Sequence, residues 1–112
     1  MTITAIVTGT GLRNDDGSSR ARVIRQRCAI GSEVVLRKGS TTREAHTVAV
    51  YLEVPRLFGL LRSSYAQIGD LEPHAAASLV ARLDAGGEIR ARVKSVYAPE
   101  EKDSPRVSLT IQ

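Results

Sequence analysis

Arg43, Glu44 and His46 fall within four positions of one another in the stretch RKGSTTREAHTVAVY, residues 37–51. A cation, a carboxylate and an imidazole so close together can hold an anion or pass a proton. Nucleophilic chemistry would need a further partner, and the single thiol of the chain is Cys28. A Cys28–His46 pair would require a thiolate in an exposed, electropositive pocket. A lone cysteine with no disulfide partner reads more simply as a small buried apolar residue.

The other reactive types are no better grouped. His46 and His74 stand 28 residues apart, and neither a C-x-x-C nor an H-x-x-x-H spacing occurs, so no metal centre is expected. Thr8-Gly9-Thr10-Gly11 has the glycines of a phosphate loop but not its Lys-Ser/Thr, and it reads as a turn at a strand end. Asp70 and Glu72 read as helix-entry carboxylates, favoured by the positive end of a helix dipole. The expectation is a non-enzyme without a cofactor.

The elements that would position these groups follow from periodicity. Thr2–Val7 alternates and is β-branched, which predicts a strand. Gly9 and Gly11 end it, and a polar loop over Arg13–Ser18 leads to a short helix over Arg20–Cys28, capped by Ser18 or Ser19. Strands are predicted over Glu33–Arg37, Thr47–Glu53 and Tyr65–Gly69, with Pro55 interrupting and Arg56–Leu61 either a strand or an exposed hairpin. Pro73–Ala85 is the plainest helix: Pro73 suits the first helical position, Gly86 or Gly87 supplies the stop, and Ala76, Leu79, Val80 and Leu83 form one stripe. Strands over Glu88–Tyr97 and Arg106–Gln112 finish the chain. In the first of them Ile89, Ala91, Val93 and Val96 break phase, which predicts a bulge or bend.

This order predicts one domain over residues 1–112, mostly β with helical additions: a small OB-like antiparallel barrel with one substantial and one short helix. A chain of 112 residues has room for a single modest core. With no Trp, one Phe and three Tyr, that core must be aliphatic. No stretch is long and apolar enough for a membrane helix. The opening MTITAIVTGT lacks the basic and apolar regions of a secretion signal, so a cytoplasmic protein with no membrane partner is expected. Charge is uneven: residues 1–62 carry ten Arg/Lys against five Asp/Glu, and residues 63–112 six against seven. An anionic partner would meet the first half.

Three stretches in this order, Ile30–Arg37, Thr47–Tyr51 and Ala66–Gly86, carry the runs G-x-x-V-x-L-R, V-A-V-Y and Q-I-G-x-L. Together they resemble the HIRAN domain, found in helicase-like transcription factor and in many small bacterial proteins, over about Val7 to Val96. The resemblance implies an OB-like barrel that binds single-stranded DNA with preference for a free 3′ end. In that family the loop before the third strand reads N-P-Y/H-D-x-N-A. Here Arg43 stands at the ring position, Glu44 at the Asp, His46 at the Asn and Thr47 at the Ala. The aromatic residue usual after the first strand is also missing, that region being Gly11-Leu12-Arg13-Asn14.

Two functions therefore compete. The first is a non-catalytic module for single-stranded or 3′-ended DNA. In it Arg13, Arg37, Lys38 and Arg43 meet phosphates, His46 donates or accepts, and Glu44 accepts from a terminal hydroxyl. Without ring stacking, such binding is expected to be weaker and more salt-dependent. The second is a protein-interaction or dimerisation module that keeps the fold without DNA-end recognition. Leu57, Phe58 and Leu60, in the apolar run bracketed by Arg56 and Arg62, would then dock a partner or a second copy; alternatively that run completes the core.

Overall fold

The alternation read from the sequence becomes a barrel wall. The computed structural model describes residues 3–14, 17–38, 48–55, 63–86, 88–99 and 104–111. They form β1 (Ile3–Thr8), α1 (Arg20–Arg27), β2 (Glu33–Lys38), β3 (Val48–Pro55), β4 (Ser63–Leu71), α2 (Pro73–Gly86), β5 (Glu88–Tyr97) and β6 (Arg106–Ile111). The strands pair antiparallel in the order β1-β4-β3-β2-β5-β6, and β6 returns to β1 to close the barrel. Closure gives each of the six strands a partner on both sides, although β1 meets β4 only through Val7 and Thr8.

Every second residue points inward. Ala5 and Val7, Val34 and Leu36, Val48, Val50 and Leu52, Ile89, Ala91 and Val93, and Val107, Leu109 and Ile111 share one buried cluster. Each fully buried Leu or Ile contributes about 1.5–3 kcal/mol. The predicted bulge in β5 is present, the register slipping between Val93 and Ser95. A second bulge lies in β4: Val50 pairs with Gly69 but Tyr51 with Gln67, leaving Ile68 as the extra residue. Gly69 is required there, because a Cβ would fall on the carbonyl oxygen of Thr8 and on Val7 Cγ1.

In an antiparallel barrel of this order, α1 joins strand ends at one mouth and α2 joins strand ends at the other. Ile24 of α1 and Ala75, Ala76, Leu79 and Leu83 of α2 belong to the same buried cluster as the wall, so the helices plug the two mouths. Ser19 caps α1, its side chain accepting from the Arg22 N–H at 3.3 Å. Cys28 ends α1 in extended conformation while its N–H still donates to the Ile24 carbonyl. Thr8–Gly11 is the predicted turn, with Gly9 at φ 68° and the Leu12 N–H returning to its carbonyl.

Two readings are corrected. Asp70 is not a helix-entry residue: β4 runs on to Leu71, which pairs with Val7, so Asp70 lies in the wall and pairs with Thr8. Glu72 alone precedes α2, its carbonyl accepting the Ala76 N–H. Pro55 does not interrupt β3 but is its last residue, opposite Ser63, a terminal position that tolerates a missing N–H. Among the described residues no helix is long and apolar enough to cross a membrane.

Candidate functional site

With Val34 and Leu36 turned inward, Glu33, Val35 and Arg37 of β2 face outward. The register places Ala49, Tyr51 and Glu53 of β3, Tyr65 and Gln67 of β4, and Glu88, Arg90 and Arg92 of β5 on the same outer surface. Val35 and Ala49 are only 1% and 4% exposed despite this orientation. Their cover comes from long neighbours: Val35 stands between Tyr51 and Arg90, and Ala49 between Arg37 and Asp70. The outer wall thus has an apolar floor under a layer of rings and guanidinium groups.

Arg37 is the centre of that layer. Its guanidinium carbon lies 5.2 Å from the Tyr65 ring centroid and 5.6 Å from that of Tyr51, within cation–π reach of both. Its Nε also donates to Glu88 at 3.3 Å. Beside it Arg90 donates to Glu33 at 2.9 Å. That hydrogen bond, with the negative charge of Glu33 and smaller effects of Tyr65 and Glu88, pushes the Arg90 pKa further up. Both ion pairs are about half exposed, so water and competing anions reach them, and each pair is held only weakly.

Asn14 pins the β1–α1 loop to this wall, its side-chain N–H groups donating to the Gln67 carbonyl at 3.0 Å and to Ser18 Oγ at 3.1 Å. Asn14 in turn accepts from Arg20 Nε at 2.9 Å, and Arg20 reaches the Gly9 carbonyl at 3.1 Å and Asp70 at 3.6 Å. Arg20, although charged, is buried, and its partners explain why that is tolerated. Burial pushes the Asp70 pKa up, and this outweighs the opposing pull of Arg20 and the hydrogen bond from Gln67. The network fixes the loop and β4 rather than doing chemistry itself.

The expected site residues separate. Arg37 sits among the two rings. Lys38, the next residue, turns to α2, where its ammonium meets Asp84 at 2.9 Å. Arg13 is exposed on the β1–α1 loop and folds back to the Gly17 carbonyl at 2.9 Å. Arg43, Glu44 and His46, and likewise Leu57, Phe58 and Leu60, lie outside the described residues. Tyr51, Tyr65 and Arg90 were missed as site residues. Their outward phase was legible in the alternation of Tyr65 and Gln67 with Ala66 and Ile68, but the register that brings them to Arg37 was not.

Chemically, this face offers flat, electron-rich rings, guanidinium planes and exchangeable ion pairs. It suits a ligand that combines aromatic faces with negative charge. Among the described residues no group of three His, Cys, Asp or Glu is placed to hold a metal ion. The half-buried Cys28 thiol is pushed up to about 11 by desolvation and stays protonated at neutral pH. No family model, curated protein or solved structure matches the chain.

Proposed function

We propose that this protein is a non-catalytic, cytoplasmic binding module for single-stranded nucleic acid, and that its preferred ligand is DNA with a free 3′ end. The observation that carries the reading is Arg37 lodged against the rings of Tyr51 and Tyr65 on the outer wall of a closed barrel. Bases stack on exposed rings and guanidinium planes irrespective of sequence, at about 1–3 kcal/mol each for an aromatic platform. Phosphates compete for the arginines against exposed carboxylates, whose hold is weak. The excess of Arg and Lys in residues 1–62 favours the same class of partner.

The preference for a 3′ end rests on the resemblance to the HIRAN domain, and on Glu44 as acceptor for a terminal hydroxyl. The rings expected on the loops are absent from the sequence. In this reading Tyr51 and Tyr65, on the strands, take over the stacking.

A fluorescence-anisotropy titration at low salt tests both levels. Single strands ending in 3′-hydroxyl are expected to bind more tightly than the same strands ending in 3′-phosphate. Equal affinity would remove end recognition and leave single-strand binding. Absence of binding to either strand would remove the function altogether.

A further inference from the structure

Glu33 and Arg92 stand directly opposite each other across β2 and β5, a carboxylate against a guanidinium. Oppositely charged residues so placed ordinarily bond to each other. Here each bonds elsewhere. Glu33 Oε1 accepts from Arg90 at 2.9 Å, on the diagonal, and Arg92 donates to the Gly31 carbonyl at 3.4 Å. Both residues line one pocket of about 450 Å³, whose walls also include Ile30, Gly31, Arg90 and Thr110. That volume falls among small-ligand sites, which run from about 300 to about 1,000 Å³.

The α1–β2 turn is a fixed wall of this pocket. Gly31, at φ 89°, donates its N–H to the Val93 carbonyl at 2.8 Å, and the Val93 N–H donates to the Ser32 carbonyl at 2.9 Å. Ser32 Oγ accepts from the Ala29 N–H at 3.0 Å. These bonds hold Ile30 near the tip of the turn with 75% of its surface exposed. An aliphatic side chain held out beside charged groups offers a flat molecule an apolar face. Because the turn is already tied to β5, binding has little left to order.

The polar groups select the edge of such a molecule. With one bond from Arg90 in place, the Glu33 carboxylate keeps lone pairs on both oxygens for further donors. Arg92, with one long bond to a carbonyl, keeps most of its N–H groups for acceptors. Among nucleobases guanine alone has two adjacent donors, N1–H and the N2 amino group, together with O6 and N7, the acceptors that guanidinium groups read. Thymine sets a single N–H between two carbonyls, which the carboxylate repels. Adenine and cytosine carry one amino donor each, beside ring acceptors. The ring-bearing wall adjoins the pocket: Val35 lies between Tyr51 and Arg90 in one cross-strand row, about 10 Å wide at the usual strand spacing.

We propose that this pocket is a site for a guanine ring, supplied by a strand on the adjoining wall or by a free nucleotide. The ring lies on Ile30, donates from N1–H and its amino group to Glu33, and accepts from Arg92 at O6 or N7. Delivery by a strand rests on the single-strand reading above, whereas recognition of the ring does not, and the test separates the two.

Amide NMR spectra of the isotope-labelled chain are recorded with guanosine 5′-monophosphate and with thymidine 5′-monophosphate, at up to millimolar concentration. The guanine nucleotide is expected to shift the amides of Gly31, Arg92 and Val93, and the thymine nucleotide, with the same phosphate, is not. Glu33→Gln, at an exposed position, removes those shifts. Shifts that are absent, or equal for both nucleotides, overturn the guanine site. In parallel, anisotropy titrations compare an oligothymidylate of about eight nucleotides with the same strand carrying one central guanine, a length typical of single barrels. The guanine strand is expected to bind about tenfold more tightly, a modest figure for paired contacts to one base. Glu33→Gln and Arg92→Gln abolish that ratio, in which any general effect of the altered charge cancels. Guanine-specific shifts without a preference between strands support the site and assign it to a free nucleotide. If neither strand binds while those shifts persist, the guanine site stands and the single-strand reading fails. If both strands bind equally and no guanine-specific shift is seen, the site falls and the wall reading stands.

Discussion

The guanidinium carbon of Arg37 lies 5.2 Å from the ring centroid of Tyr65, although β3 separates the two strands that carry them. The contact reaches across β3, beside its outward residues Ala49 and Tyr51. It also fixes Tyr65 with 38% of its surface open to solvent. Replacing Tyr65 by Ala is expected to weaken single-strand binding by about 1–3 kcal/mol, whereas Tyr65→Phe retains most of the affinity. Anisotropy titrations of the two variants at one salt concentration decide it. Wild-type affinity in Tyr65→Ala would take the ring out of the interface.

Arg20 and Asp70 make a sharper prediction about stability. Because burial raises the Asp70 pKa, the folded chain holds this proton to a higher pH than the unfolded chain, whose carboxyl titrates near the usual 3.8. The contribution to stability is therefore greatest below that value and declines as pH rises through the folded-state pKa. Asp70→Asn removes the decline, so its urea midpoint gains on the wild type from acid toward neutral pH. Arg20→Met takes away the charge that opposes the shift, and the decline then extends over a wider pH range. Because the Arg20 side chain is buried while that of Asp70 is one-third exposed, Arg20→Met should also lower stability at neutral pH, by less than the loss of a fully buried pair. Parallel pH profiles for wild type and Asp70→Asn would contradict this account.

The barrel was legible because its code is local. Alternation in β1, β5 and β6, Pro73 at the start of α2, and the phase break near Val93 each follow from a few adjacent residues. What was not legible depends on register. Tyr51, Tyr65 and Arg37 meet only because β3 pairs with β2 and β4 in one particular alignment, shifted by the Ile68 bulge. The connections between these strands are long enough to permit others. Lys38 misled for a related reason: adjacent to Arg37 in sequence, it points to the other side of the strand and finds Asp84 on α2. Asp70 misled because proximity to Pro73 suggested a helix entrance, whereas strand pairing with β1 extends past it.

Cys28 supplies a test of chemistry rather than binding. Desolvation raises its thiol from the usual 9.0 to about 11, so little thiolate exists at neutral pH. A disulfide reagent should react slowly with the native protein and much faster after unfolding in urea. Between about 9 and about 11 the unfolded chain releases this proton while the folded chain keeps it. Stability therefore falls as pH climbs through that window, and Cys28→Ala abolishes that part of the slope. Rapid native-state labelling at neutral pH would reopen a nucleophilic role for this residue.

Glu88 offers the opposite kind of change, a predicted gain. It accepts from Arg37 Nε at 3.3 Å while about 40% of its own side chain remains exposed, so it both occupies the guanidinium and repels an approaching phosphate. Its loss costs the fold little, because an exposed pair of this kind is worth about 0–1 kcal/mol. Glu88→Gln keeps the length and hydrogen-bonding capacity of the side chain without its charge. The variant is expected to melt within a few degrees of the wild type and to bind single strands several-fold more tightly at low salt. The gain should shrink as salt is raised, since electrostatic repulsion between exposed charges is screened. Unchanged affinity at low salt would mean that phosphates do not approach Arg37, and would move the interface elsewhere on the barrel.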